Sequence, residues 1–287
     1  MDPKTDAGWT PLFAAVVGKY KGPAQFLRNS GADLHIVTEA GNTLLHAADE
    51  VMLFKYIIKN IAWANGKTAT FMPKPLEGVQ GSGMHLHLSL FSGDTNAFYS
   101  EDDPNNLSPV AKSFMAGLLR HAAEITAVTN QTVNSYKRLV PGFEAPVHIS
   151  WARNNRSGLI RVPIPKRGSI SATRIEYRSP DPACNPYLAF SVILAAGMKG
   201  IREGYELEPE ADANLFEMDD AALDKLGIRQ LPQSLNDALK VMETSELVQE
   251  ALGERIFEWF LRNKRHEWRE YKTQVTPFEL NRYLKSL

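Results

Sequence analysis

Met84-His85-Leu86-His87-Leu88-Ser89-Leu90 alternates apolar and polar residues without interruption. Successive side chains of an extended strand point to opposite faces, so His85, His87 and Ser89 share one face and the four apolar residues the other. Thr173-Arg174-Ile175-Glu176-Tyr177-Arg178 repeats the pattern and groups Arg174, Glu176 and Arg178. Two imidazoles, a hydroxyl, a carboxylate and two guanidiniums on strand faces suit a metal, a phosphate chain and a carboxylate-bearing substrate. The alternation alone equally fits a half-solvated sheet with hydrogen-bonded surface histidines.

Outward from the first strand, Gly81-Ser82-Gly83 is a turn, preceded by Lys74 and Pro75, and Thr68–Met72 reads as a further strand. Leu44, Leu45, Ala48, Val51, Met52, Lys55 and Ile58 trace one face of a helix running to about Asn65, with Gly66 closing it. Ser108-Pro109 is a capped helix start, with Ser as cap and Pro at the first helical position, and the helix is expected to run through Ile125. Pro141–Pro146 reads as a loop, Val147–Ala152 and Leu159–Val162 as strands, and Asn185-Pro186 as the start of another helix. The remainder is mainly helical and ends on Thr276-Pro277-Phe278-Glu279, a capping box. The mixed-charge run Arg262–Glu270 reads as a solvated helix face.

The first segment carries a repeat of its own. Gly8-Trp9-Thr10-Pro11-Leu12-Phe13-Ala14-Ala15 returns as Gly41-Asn42-Thr43-Leu44-Leu45-His46-Ala47-Ala48, 33 residues later, with Gly31-Ala32-Asp33 between them. This resembles an ankyrin repeat, complete once and begun a second time, over residues 1–46. A single repeat cannot bury its own apolar face and has to lean on other structure.

Composition narrows the classes. With 287 residues, 44% of them hydrophobic, the chain can bury a sizeable core. A net charge of −1 gives no electrostatic case for nucleic acid or an anionic membrane. The lone Cys184 excludes an intramolecular disulfide framework and fits a reducing cytoplasm; its setting in a turn before a helix suggests a buried thiol. The N-terminus lacks a charged-then-apolar signal pattern, and the most apolar run, Tyr187–Met198, is too short to span a bilayer, so a cytoplasmic protein is expected. No Gly-rich P-loop or dinucleotide fingerprint is present.

Five stretches together carry a family resemblance: 67–75 (Lys-Thr-Ala-Thr-Phe-Met-Pro-Lys-Pro), 81–90 with its two histidines, 134–146 (Asn-Ser-Tyr-Lys-Arg-Leu-Val-Pro-Gly-Phe-Glu-Ala-Pro), 153–157 (Arg-Asn-Asn-Arg-Ser) and 174–187, which begins Arg-Ile-Glu-Tyr-Arg-Ser-Pro-Asp-Pro. Over residues 47–287 the chain resembles the C-terminal portion of a type I glutamine synthetase catalytic domain. The resemblance implies an α+β fold, part of a guanido-kinase-like sheet or barrel with helices, preceded by the short all-α ankyrin-like segment. It implies ATP-dependent ligation of glutamate and ammonium through γ-glutamyl phosphate, with Mg²⁺ or Mn²⁺.

By the same resemblance, His85 and Glu176 are metal ligands; His87, Ser89 and Arg174 lie along the ATP; and Arg156 and Arg161 neutralise the transferring phosphoryl group. Arg138 and Arg178 grip substrate carboxylates, where a planar fork serves better than Lys, and Gly81 lets backbone approach the amino acid. Glu144 sits on a flap that excludes water and helps take the proton from ammonium. Further family carboxylates and an N-terminal β-grasp domain have no counterpart before Ala47, so the site is expected to be incomplete in a single chain. Two expectations follow: a synthetase homologue working as a homo-oligomer or with another subunit, or a non-catalytic fusion or fragment acting as a scaffold, with the ankyrin-like segment meeting a protein partner.

Overall fold

The computed structural model describes residues 44–142, 145–153, 158–164, 170–211, 215, 218 and 220–287. The ankyrin-like repeat lies almost wholly outside them. The described chain is a mixed α+β fold in which a small sheet rests on helices.

Helix α1 (Leu44–Ala64) has the expected span, and Gly66, at φ +66°, turns the chain away from it. Its buried strip is narrower than the periodicity predicts. Leu44, Ala47, Ala48 and Val51 pack with Cys184, Ala189, Phe190 and Tyr187, whereas Met52 and Ile58, expected on the same face, are exposed. The segment Thr68–Met72 forms no strand. The Met72 N–H donates instead to Thr70 Oγ1 at 3.1 Å, a local bond that Thr offers in competition with a ladder. Lys74 is then pinned by reciprocal bonds with Asn134, at 2.8 and 3.0 Å.

Strands β1 (Leu86–Leu88), β4 (His148–Ala152), β5 (Gly158–Arg161) and β6 (Ile175–Tyr177) form one sheet in the order β1-β6-β5-β4. The β1/β6 and β6/β5 pairs are antiparallel and β5/β4 is parallel. A separate hairpin joins β2 (Phe91–Ser92) to β3 (Thr95–Asn96). β1 and β6 are shorter than the alternating stretches that announce them, but their pleat is as expected. Ile175 and Tyr177 are fully buried against the helices, leaving the polar partners on the other face.

Helix α2 (Pro109–Arg120) starts at Ser108, whose Oγ accepts from the Ala111 N–H at 3.1 Å. The expected continuous helix breaks at His121, at φ −98° and ψ 8°, and resumes as α3 (Ala122–Thr129). A four-residue helix α4 (Ser135–Arg138) follows. Asn185 caps α5 (Pro186–Arg202) by accepting from the Tyr187 N–H at 3.0 Å. α2 and α5 cross almost backbone to backbone: a Cβ on Gly117 would lie 2.2 Å from the Ala196 carbonyl, and one on Gly200 2.1 Å from that of Ser113. Phe98 and Phe114, with ring centroids 5.3 Å apart, fill the core beside this crossing together with Leu118, Ile125 and Ile193.

The C-terminal part is helical as expected: α6 (Asp220–Lys225), α7 (Leu235–Glu243), α8 (Glu246–Leu252), α9 (Glu254–Lys272) and α10 (Pro277–Tyr283). α9 buries Phe257, Phe260 and Leu261, while most of its mixed-charge run faces solvent. The Thr276 N–H donates to Glu279 Oε2 at 2.7 Å in the expected capping box. Among the described residues no helix is long and apolar enough to cross a membrane.

Candidate functional site

The strand register explains why distant polar residues meet. His87 pairs with Glu176 across β1/β6, and Glu176 with Arg161 across β6/β5. Residues opposite one another in antiparallel strands project to the same face, so His87, Glu176 and Arg161 form one row. Continuing the β1/β6 register by two residues each way sets His85 opposite Arg178 and Ser89 opposite Arg174.

Glu176 is the hub. Its carboxylate is buried; Oε2 accepts from Arg161 Nε at 2.6 Å, Oε1 lies 2.9 Å from His85 Nδ1, and Arg178 Nε stands 3.7 Å from Oε1. Burial alone would raise the Glu176 carboxyl, but Arg161, His85 and Arg178 outweigh it and hold it below the usual carboxylate range. Burial, then Arg178, lowers His85 against the opposing pull of Glu176; His87 is lowered by burial, with Arg174 and Arg161 adding to it. Both imidazoles are therefore biased towards the neutral form that ligates a metal or accepts a hydrogen bond.

His85 and Glu176 fit part of a divalent-ion shell. They offer an imidazole nitrogen and a carboxylate oxygen side by side, His85 Nδ1 and Glu176 Oε1 being 2.9 Å apart, donors of the kinds such an ion takes. They are two ligands and no more: among the described residues no group of three or more His, Cys, Asp and Glu could hold a metal. Phosphate oxygens, solvent or residues outside this set would complete the coordination.

The two carboxylate-gripping candidates lie deeper. Arg178 is buried beside Glu176, with Nη1 3.4 Å from the Gly158 carbonyl. Arg138, only 3% exposed, donates from Nη1 to the Ser179 carbonyl at 2.7 Å and from Nη2 to that of Arg178 at 3.1 Å. Burial pushes Arg138 down to about 10, with Asp181 opposing and Arg178 adding, so it stays charged at neutral pH. The expected turn lies over this guanidinium. A Cβ on Gly83 would sit 2.5 Å from Arg138 Nη2, and one on Gly81 2.4 Å from the Pro73 carbonyl and 3.0 Å from Arg138 Cγ. The close approach at Gly81 is thus made to the protein's own Pro73 and Arg138.

His85, His87, Arg161, Glu176 and Arg178 are brought together, with Arg138 beneath them. Ser89 is half-buried and Arg174 exposed at the far end of β1 and β6. Glu144 and Arg156 lie outside the described residues. Sequence reading missed a buried polar cluster behind the two arginines: Asn130, Ser179 and Asp181, all fully buried. Burial raises the Asp181 carboxyl, against the lowering effects of Ser135, Arg138 and Asn130. Asp181 stands inside the quoted 174–187 stretch, but no local pattern marks Asn130 as its partner.

A profile of the glutamine synthetase catalytic domain matches residues 30–283. The chain belongs to the glutamine synthetase family. It is 57% identical over 240 residues to a glutamine synthetase of Mycolicibacterium smegmatis, covering 84% of this chain and 54% of that protein. Against a glutamine synthetase of Thermotoga maritima the identity is 50% over 250 residues, covering 87% and 56%. The chain thus spans about half the length of these curated relatives. Among solved structures, GmaS without ligand superposes with a TM-score of 0.74 at 38% identity, and a GmaS/ADP complex with 0.75 at 36%. These cover 84% and 85% of this chain, and 54% and 55% of theirs. The synthetase match begins at residue 30, inside the segment read as ankyrin-like.

Proposed function

We propose that this chain carries part of a glutamine synthetase site for ATP-dependent ligation of glutamate and ammonium. The observation that carries the reading is the row of Arg161, Glu176 and His87, with His85 joined to Glu176, on one sheet face in a chain of this family. In the reaction a glutamate γ-carboxylate oxygen bonds to the γ-phosphorus of ATP as the bond to the ADP oxygen breaks. Ammonia then attacks the acyl phosphate and inorganic phosphate leaves, with a proton given up by the nitrogen.

His85 and Glu176 would hold Mg²⁺ or Mn²⁺, which when bound supplies Lewis-acid neutralisation of phosphate oxygens. His87, Ser89 and Arg174 would line the ATP from the β1/β6 end. Arg161, with Arg156, would stabilise the charge spread over the transferring phosphoryl oxygens. Arg138 and Arg178 would face the substrate carboxylates, with Gly81 and Gly83 allowing the chain to pass close by. Glu144 would close the site and accept a proton from ammonium.

The match covers only about half the length of these relatives, so completion of the site by a second copy or another chain belongs to the proposal. So do the division into an ankyrin-like segment 1–46 and a synthetase part 47–287, a partner for that segment, and a cytoplasmic setting. A second reading, a non-catalytic interaction scaffold, is favoured by one observation: α1 leaves Phe54, Tyr56, Ile61 and Trp63 exposed, the last at 81%. Phosphate release with ATP, Mg²⁺ or Mn²⁺, glutamate and ammonium, compared with Glu144→Ala, separates the two. Glutamate-dependent release lost in the variant supports the ligase; none from a folded chain leaves the scaffold.

A further inference from the structure

Asn130 ends α3 with non-helical backbone, φ −136° and ψ 68°, and its side chain is fully buried. Every bonding position of its amide is used. Nδ2 donates to the Ser179 carbonyl at 2.9 Å and to Asp181 Oδ2 at 3.0 Å. Oδ1 accepts from Ser179 Oγ at 2.9 Å and from Thr129 Oγ1 at 2.8 Å. An amide offers two donor hydrogens and two acceptor lone pairs, so this constellation fixes its orientation.

The Ser179 carbonyl that Asn130 grips is the one that receives Arg138 Nη1 at 2.7 Å. The carbonyl of the preceding residue, Arg178, receives Arg138 Nη2. Asn130 and Arg138 therefore hold the same short stretch of backbone, and that stretch carries the second guanidinium. Asp181 adds a buried carboxylate that attracts Arg138 and is itself tied to Asn130 Nδ2 and to the Ala183 N–H at 3.0 Å. A fully satisfied buried network of this kind admits few alternative arrangements.

We infer that Asn130 is a positioning residue, which sets the Arg138 and Arg178 guanidiniums for an anionic carboxylate ligand by holding, together with Arg138 of α4, the Ser179 backbone that follows β6. The inference rests on the proposed role of those two arginines towards glutamate; the clamp itself rests on the hydrogen bonds alone.

Asn130→Asp keeps the shape but exchanges the two amide donors for at most one carboxyl proton, shared with Asp181, against which it brings a second carboxyl. The first readout, on the full chain without substrate, is hydrogen exchange of the Arg138 guanidinium by NMR. Exchange at Arg138 should speed up roughly tenfold or more, while core amides such as Ile125 and Ile193 keep their protection. Equal exchange in both proteins, or a uniform rise that includes the core, overturns the clamp. Ser179→Ala should act in the same direction, and Ser179→Thr, which keeps the hydroxyl, should restore slow exchange; failure of both to differ also overturns it. Because this variant pair leaves Asn130 intact, it decides the matter even if Asn130→Asp does not fold.

The second readout is affinity for glutamate and, separately, for ATP with Mg²⁺. Asn130→Asp should weaken glutamate roughly tenfold or more and leave ATP within about twofold. Equal weakening of both ligands reduces Asn130 to a merely structural role and overturns the inference. If the wild-type chain binds no glutamate, the ligand reading fails, whereas the exchange data still decide the clamp.

Discussion

Arg161 and Glu176 face each other across β5 and β6, with Nε 2.6 Å from Oε2, and the same carboxylate meets His85 through its other oxygen. One acid thus ties three strands together and balances the positive side of the candidate site.

Glu176→Gln should therefore cost both stability and ligand binding. The substitution leaves Arg161, His85 and Arg178 around a neutral amide; we expect a loss of about 2 kcal/mol, tempered by the partial exposure of Arg161. Urea unfolding of wild type and variant measures the loss. Binding of ATP with Mn²⁺ should fall with it, whereas a variant as stable and as tight as wild type would show the hub to be incidental.

Gly83→Ala tests the close packing over Arg138. The added Cβ would lie 2.5 Å from Arg138 Nη2 and 2.9 Å from His85 Nε2, so the turn or the guanidinium has to move. Overpacking of this kind costs about 1–3 kcal/mol. The neighbouring, exposed Ser82→Ala should stay within about 0.5 kcal/mol of wild type in the same unfolding experiment.

A second carboxylate–imidazole contact supports the break between α2 and α3. Glu124 meets His121 Nδ1 at 2.8 Å and also accepts from the Ser245 hydroxyl, which caps α8. Burial would raise the Glu124 carboxyl, but His121 and Ser245 outweigh it and hold it below its ordinary 4.5. A depressed folded value stabilises the protein above the unfolded value, and the contribution is lost as pH falls through the folded one. Glu124→Gln should thus lose about 1–3 kcal/mol near pH 7, with the gap to wild type closing as pH falls below the carboxyl's ordinary value and through its lowered one. A gap independent of pH would show that the charge is not what matters.

Cys184 is 2% exposed, and burial, with Asp181 nearby, pushes its thiol up to about 12. An alkylating reagent at neutral pH should leave the folded chain unmodified and label Cys184 only once denaturant has unfolded it. Rapid labelling of the native chain would mean that the α1–α5 contact around this residue opens readily.

Much of this was legible because its causes are local. Helix starts at Ser108, Asn185 and Thr276 depend on a cap and a following Pro, and the shared face of His87 and Glu176 depends only on strand alternation. Contacts set by the tertiary fold were not. The strand expected at Thr68–Met72 has apolar and β-branched residues, but the Thr70 hydroxyl takes the backbone N–H a ladder would use. The helix through Ile125 is periodic in sequence, yet it breaks where His121 turns to meet Glu124. α1 has a helical apolar face that only partly finds a partner among the described residues, because periodicity reports that a face exists and not what covers it. Asn130 ends an apolar helix 49 residues from Ser179, and no spacing rule links the two.

The most direct test of the proposed ligase site is chemical trapping of the acyl phosphate. The chain is incubated with glutamate, ATP, Mg²⁺ and hydroxylamine, and γ-glutamyl hydroxamate is measured for wild type, Arg161→Ala and Glu176→Gln. Glutamate-dependent hydroxamate from wild type, reduced roughly a hundredfold or more in both variants, is the expected result. A folded wild-type chain that makes none, or variants that make as much as wild type, would contradict the assignment of this sheet face to phosphoryl transfer.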